Sequence, residues 1–214
     1  MVKKLVIASC IVTMVVLAFP GCEPTGKTEI KTEAKSKTEA KVSTEAKVKT
    51  EAPSKIVLRV NCAATEPYTD KAGNKWLPDQ YWEEGKTTWG AMDGMEVDRG
   101  ELNITGTDAP KIYETERYMM SAYKFKVPNG KYTVRLHFAE TYSGITGEGE
   151  RVFSVTINDK GVLEDFDVYK AAGGPEKPVV KEFKGVTVTN GELAIGFTSN
   201  IENPEINGIE ILSE

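Results

Sequence analysis

The chain has 214 residues, 40% of them hydrophobic and 28% charged, with a formal net charge of −5. With 27 Lys and Arg against 32 Asp and Glu, and no stretch that interleaves aromatic with basic residues, it lacks the cationic surface that phosphate backbones require, so no nucleic-acid partner is expected.

The first residues read as an export signal. Lys3 and Lys4 precede the apolar run "LVIASCIVTMVVLAF", and "PGC" follows, ending at Cys22. The run is too short for a comfortable membrane span. A Gly-Cys in this place resembles a bacterial lipobox, which makes Cys22 the lipidated first residue of the mature chain. Phe19 and Pro20 depart from that pattern, which carries Leu where Phe19 stands. Ordinary cleavage with a free Cys22 and an uncleaved anchor are the alternatives. Residues 1–22 are therefore assigned to the signal. The expected location is the cell envelope or surface, with the membrane as a partner through the lipid anchor. Residues 23–54 contain "KTEIKTEAKSKTEAKVSTEAKVKTEA", a Lys/Glu/Thr/Ala repeat without an apolar face. Such a segment cannot offset its ordering entropy and is expected to be a disordered or partly helical tether.

From residue 55 short alternating runs follow in quick succession: "KIVLRVN", "KIYETERY", "AYKFKV", "KYTVRLHFAE", "RVFSVTIN", "VVKEFKGVTVT", "ELAIGFTS" and "INGIEILS". The turn signals "PNG" at 128–130, "NDKG" at 158–161 and "TNG" at 189–191 separate some of them. The pattern predicts one all-β sandwich over residues 55–214. Tyr132, Val134, Leu136 and Phe138 share one face and are expected in the core, as are Phe153, Val155 and Ile157. Long connections at 64–108 and 141–150 are left for function. "IYETERY", residues 112–118, alternates as a strand, with Ile112, Glu114, Glu116 and Tyr118 on one face and Tyr113, Thr115 and Arg117 on the other. So many polar and aromatic groups imply that it faces something other than a core.

Enzymatic chemistry finds little support. His137, the single histidine, lies beside Thr133 and Arg135 on the outward face of a core strand and is expected at the surface. Without a second His or a Cys-x-x-Cys, no zinc site is expected. Asp165 and Asp167 lack an EF-hand pattern, so no metal or cofactor is assigned. No G-x-S-x-G elbow is present, and "GEGE" at 147–150 is no phosphate loop. Cys62, alone on an apolar strand, reads as a buried inert thiol. The enzymatic rival is a glycoside hydrolase using Glu114 with Glu116, or Glu148 with Glu150.

Aromatic residues carry the stronger signal. Trp76, Tyr81, Trp82 and Trp89 crowd "GNKWLPDQYWEEGKTTWG", and Tyr118 and Tyr142 stand where strands run into loops. Aromatic plates cover the C–H face of a sugar while carboxylates, amides and Arg satisfy its hydroxyls. The other reading is that several of these rings, Trp76 and Trp82 especially, close loops over the core.

"VNCAATEPYTDKAGNKW", "IYETERY", "VPNGKYTVRLHFAETY", "RVFSVTIND", "VLEDFDVYKAAGG" and "NPEINGIEIL" occur in order and together resemble the malectin domain over roughly residues 56–213. The resemblance implies a jelly-roll-like β-sandwich of galactose-binding-like shape, without catalytic activity. It also implies that short glucose oligosaccharides, or a polysaccharide, are held by four aromatics and an aspartate on loops at one end. Carried onto this chain, the aromatics are Trp89 in "TTWGAM", Tyr118 closing "ETERY" and Tyr142 in "AETY". Ser143 stands where the fourth is expected, and Glu202, preceding Asn203, replaces the aspartate. Glu202 and Asn203 are expected to hydrogen-bond sugar hydroxyls. Ser143 either opens the pocket to a longer or substituted glycan or weakens binding. Tyr113 is expected inside, and Arg117 is expected to pair with Glu114 or Glu116 near the site. The alternative function is a structural or protein-binding sandwich with a decayed sugar site.

Overall fold

Strand alternation is realised as two facing sheets. The computed structural model describes residues 57–214; the signal, Cys22 and the tether lie outside the described residues. In chain order the strands are β1 (Val57–Asn61), β2 (Tyr68–Thr69), β3 (Lys75–Trp76), β4 (Trp89–Ala91), β5 (Met95–Asp98), β6 (Thr115–Tyr118), β7 (Ala122–Lys126), β8 (Gly130–Phe138), β9 (Val152–Ile157) and β10 (Lys160–Phe166). The short helix α1 (Val168–Ala172) is followed by β11 (Val179–Val188), β12 (Glu192–Ile201), β13 (Glu205–Ile206) and β14 (Gly208–Ser213). One main sheet runs β1-β14-β8-β11 and the other β10-β9-β12-β7-β4, with antiparallel pairing throughout. A small sheet, β13-β6-β5, and the ribbon β2-β3 complete the architecture.

The inward faces interdigitate as the pattern requires. Tyr132, Val134, Leu136 and Phe138 of β8 meet Phe153, Val155 and Ile157 of β9 and Leu193, Ile195 and Phe197 of β12 in one interior. Phe138, Phe153 and Phe166 form an aromatic cluster with ring centroids 5.1 to 5.9 Å apart. The β9–β10 hairpin turns on Asn158 and Asp159, both at positive φ (49° and 61°), the conformation a tight hairpin needs and that short polar side chains tolerate. Cys62 is fully buried, and burial pushes its thiol pKa well up, as an inert thiol requires.

Three expectations are corrected. His137 is not a surface residue: only 8% exposed, it sits between the Tyr113 hydroxyl, 2.9 Å from Nδ1, and Glu210, 3.0 Å from Nε2. The long connection after β1 folds over the outer face of β8 and buries it under a second apolar cluster, in which Trp76 and Tyr113 lie edge-on or tilted to the imidazole. "IYETERY" is not one continuous strand either. Pro110–Tyr113 forms a 3-10 turn with Pro at its start, and only Thr115–Tyr118 pairs as a strand. Tyr113 lies inside, as expected. Arg117 pairs with Asp79 at 2.7 Å and Glu96 at 2.6 Å rather than with Glu114 or Glu116.

The edge strand β4 is covered at close range by the preceding chain. A Cβ at Gly90 would meet Trp82 N at 2.5 Å and the Tyr81 carbonyl carbon at 2.6 Å, both backbone atoms that cannot swing away. Gly90→Ala is therefore expected to destabilise the domain by about 1–3 kcal/mol, the usual range for overpacking, read as a lower urea midpoint at unchanged slope.

Candidate functional site

β8 ends at Phe138 and β9 begins at Val152, so the chain must leave the sandwich and return. The feet of that excursion are Glu140 and Arg151, both buried, joined by an ion pair of 2.7 Å between Arg151 Nε and Glu140 Oε2. Each partner also holds other chain segments. Glu140 Oε1 accepts the Tyr142 N–H at 3.1 Å, the Glu140 carbonyl accepts the Glu176 N–H at 2.9 Å, and Arg151 Nη1 donates to the Asn203 carbonyl at 2.6 Å. One buried pair thus fixes the loops around 142, 176 and 203 at the same end of the sandwich.

A second pair lies beside it. Arg99 Nη2 is 2.5 Å from Glu116 on β6, and the Thr141 hydroxyl donates to the other oxygen of Glu116. The Arg99 guanidinium carbon lies 5.2 Å from the centre of the Tyr142 ring. Gly144 lets that ring rest against the backbone, since a Cβ there would lie 2.5 Å from two ring carbons. Tyr142 is nonetheless 44% exposed.

A third carboxyl completes the cluster. Glu205 of β13 is fully buried, and neither of its oxygens has a hydrogen-bond partner among the described residues. Burial, reinforced by Glu116 and Glu140, pushes its pKa well above the ordinary carboxylate value despite opposition from Arg151 and Arg99. Glu140 is also raised, by burial against the pull of Arg151. Two arginines balance two carboxylates, so the neutral acid form of Glu205 keeps the cluster uncharged.

The residues singled out by sequence fare unequally. Tyr118 ends β6, half-buried, with its hydroxyl donating to Met95 Sδ at 3.4 Å. Its neighbour Met119 donates its N–H to the Pro204 carbonyl at 3.0 Å, which ties Tyr118 to the loop carrying Glu202 and Asn203. Glu202 is exposed at φ 58°, and its carboxylate accepts the Asn203 side-chain amide at 3.0 Å. Ser143 is exposed next to Tyr142. Tyr118, Tyr142, Ser143, Glu202 and Asn203 are thus brought to one loop end through the buried cluster.

Trp89 is not with them. It is 9% exposed, opposite Phe125 in the β4–β7 pairing and packed in the main core, so the expectation of an open stacking plate is corrected. The same alternation that turns Ala91 inward turns Trp89 inward. Arg99, Glu140, Arg151 and Glu205 were missed by sequence reasoning. The only available signal was the placement of opposite charges at the feet of "TYSGITGEGE".

A cleft of about 360 Å³ opens beside Tyr142 and Ser143. A larger one of about 590 Å³, between the edges of β10 and β11, contains none of these residues. Among the described residues no group of three or more His, Cys, Asp or Glu is placed to hold a metal ion. Asp165 and Asp167 diverge, Asp165 accepting from Asn200 and Asp167 capping α1.

A β-sandwich that gathers tyrosines, a carboxylate and an amide at one loop end over a pre-formed polar cluster has the plan of a ligand-binding module. The malectin domain profile matches residues 56–209, and the chain belongs to that family of carbohydrate-binding domains. Similar curated proteins include a probable LRR receptor-like serine/threonine-protein kinase of Arabidopsis thaliana, 35% identical over 141 residues. That match covers 59% of this chain but 13% of the kinase. Receptor-like protein 4 of the same plant is 31% identical over 137 residues, covering 59% of this chain and 22% of its own length. The chain therefore spans only a small part of these relatives. Among solved structures, a β-glucuronidase of Bacteroides uniformis superposes with TM-score 0.67 at 26% identity, over 74% of this chain and 18% of that one. The ANXUR2 extracellular domain from Arabidopsis thaliana gives 0.59 at 19% identity, over 73% of this chain and 48% of its own, a likeness of fold.

Because the folded-state pKa of Glu205 is raised above 4.5, the native state binds a proton that the unfolded chain releases. This contribution to stability is fully present below that value and is lost as pH rises through the folded pKa. Melting temperature is expected to fall as pH rises from about 5 towards 8. Glu205→Gln, which keeps the shape and removes the ionisation, should flatten that fall and melt higher than wild type at pH 8. A Gln variant whose melting curve tracks wild type across this range would contradict the assignment.

Proposed function

We propose that this chain is a non-catalytic carbohydrate-binding protein for short glucose-type oligosaccharides or a polysaccharide, exported and anchored to the membrane through lipid on Cys22. The observation that carries the reading is the gathering of Tyr118, Tyr142, Ser143, Glu202 and Asn203 at the loop end described above. Tyr142 offers a half-open ring to a sugar's C–H face, and Glu202 with Asn203 supplies an acceptor and a donor for hydroxyls. The non-catalytic part rests on the state of the carboxylates. Glu116 is buried and paired with Arg99, so it cannot reach a glycosidic bond. Glu150 is held low in pKa first by the backbone N–H groups of Thr146 and Gly147, the opposite of what a general acid needs.

A protein-binding role for the same end is favoured by two facts: Trp89 is in the core and position 143 is Ser. Calorimetric titration of the full chain with maltose, cellobiose and laminaribiose separates the readings. Wild type is expected to bind at least one disaccharide in the micromolar to millimolar range, about −8 to −4 kcal/mol. Tyr142→Ala should weaken binding at least about tenfold, roughly 1.4 kcal/mol, while Trp89→Phe leaves it unchanged. No heat with any sugar would leave the protein-binding reading standing. For the anchor, labelled fatty acid should be incorporated by the wild-type chain in a bacterial host and not by Cys22→Ala; label surviving the substitution would end the lipoprotein assignment.

A further inference from the structure

The cleft beside Ser143 has two walls of different origin. One is the loop after β8, with Tyr142, Ser143 and the buried Ile145. The other is α1 and the chain after it, with Tyr169, Pro175 and Glu176. Its volume of about 360 Å³ lies at the small end of ligand pockets, which run from about 300 to 1,000 Å³. Both walls are fixed. The first is held by the Tyr142 N–H on Glu140 and by the Ile145 N–H on the Tyr142 carbonyl at 3.0 Å. The second is held by Asp167, which accepts the Lys170 N–H at 2.9 Å and the Gly149 N–H at 2.6 Å, and by the Glu176 N–H on the Glu140 carbonyl. Glu140 therefore sets the gap from both sides, with its carboxylate on one wall and its carbonyl on the other.

What opens the gap is the small side chain at 143, an exposed Ser immediately after Tyr142. A large ring there would stand at the same cleft. Tyr169, half-buried on α1, lines the same cleft and adds an aromatic side chain to it. The cations nearby are already engaged: Arg99 by Glu116 at 2.5 Å, Arg151 by Glu140 at 2.7 Å, and the Lys177 amine by the Gly173 carbonyl at 2.6 Å. Lys170 is 3.8 Å from Glu148. The rim adds the exposed carboxylate of Glu176. Such a gap suits a ring with apolar faces and hydroxyl edges, and it disfavours an anionic sugar.

We infer that Tyr169 is a specificity-determining residue: a terminal uncharged pyranose enters between Tyr142 and Tyr169 through the opening left by Ser143, with the Ser143 hydroxyl and Glu176 at its edge. This rests on the carbohydrate-binding reading above and adds to it a second aromatic wall supplied by α1.

The test is calorimetric titration of the full chain with maltose, cellobiose and laminaribiose, with glucose and glucuronic acid as the neutral and anionic comparison and a thermal melt of every variant. Tyr169→Ala and Ser143→Phe are each expected to weaken the best disaccharide at least about tenfold, the second by filling the gap. Tyr169→Phe and Ser143→Ala should stay within about threefold of wild type, and glucuronic acid should bind more weakly than glucose. Because Ser143 lies on the surface, Ser143→Phe decides the matter even if Tyr169→Ala melts early. A wild type that binds a disaccharide, with Tyr169→Ala and Ser143→Phe binding as well, overturns this inference and leaves the carbohydrate reading intact. A wild type that binds none of the sugars overturns both.

Discussion

The geometry of the loop end depends on one buried ion pair, Arg151 with Glu140. Taking two charges out of water costs several kcal/mol each, and their attraction returns that cost only when the remaining hydrogen-bonding capacity is also used. Here it is used. Glu140 receives Arg151 on one oxygen and the Tyr142 N–H on the other, and Arg151 carries its spare donor to the Asn203 carbonyl. An apolar pair of the same volume could hold the feet of the loop together. It could not dictate where three separate backbones run. The planar fork of Arg suits this work, because donors in fixed directions reach a carboxylate and a carbonyl at once, which a Lys ammonium on a flexible stem would not do with the same geometry.

β6 shows how the same economy serves two faces. Alternate residues of a strand point opposite ways, and both faces of "TERY" are polar. Glu116 joins Arg99 and Thr141 beneath the loop end. Arg117, fully buried on the other side, binds Asp79, Glu96 and the Tyr123 hydroxyl, with the Tyr81 ring centroid 4.4 Å from its guanidinium carbon. Asp79 in turn accepts the Ala63 N–H and the Tyr123 hydroxyl, so the covering segment is fastened to the sandwich by charge here as well as by the apolar cluster over His137. A strand with polar groups on both faces is thus the joint between scaffold and loops.

This explains what was legible in the sequence. Period-2 alternation is a local property, so β7, β8, β9 and β12, and the core faces of β8 and β9, could be read directly. Asn158 and Asp159 could be read as a turn for the same reason. Burial by a distant segment is not local. His137 looked solvent-facing because nothing near it in the chain announces that Trp76 and Tyr113 will cover it. Trp89 looked like a sugar plate because a resemblance transfers residue identity, while strand register with Phe125 decides which way the ring points. The acid–base cluster was invisible for a further reason: an isolated Glu in sequence reads as surface, and only the fold shows that Glu116, Glu140 and Glu205 converge on Arg99 and Arg151.

The convergence bears on how such an end can bind. A loop that must be ordered by its ligand subtracts the ordering entropy from the affinity. At this end the backbones around 142, 176 and 203 are already held by the Glu140–Arg151 pair, and tyrosine brings contact area with few rotatable bonds to freeze. The cluster beneath is neutral when Glu205 carries its proton, so its net field neither attracts anions nor repels them, and discrimination is left to shape, hydroxyl pairing and the exposed carboxylate of Glu176 at the rim. Ionisation of Glu205 would leave an unpaired charge under the loops. The same burial that lets the fold pre-form this loop end therefore makes the stability of the domain sensitive to the ionisation of Glu205.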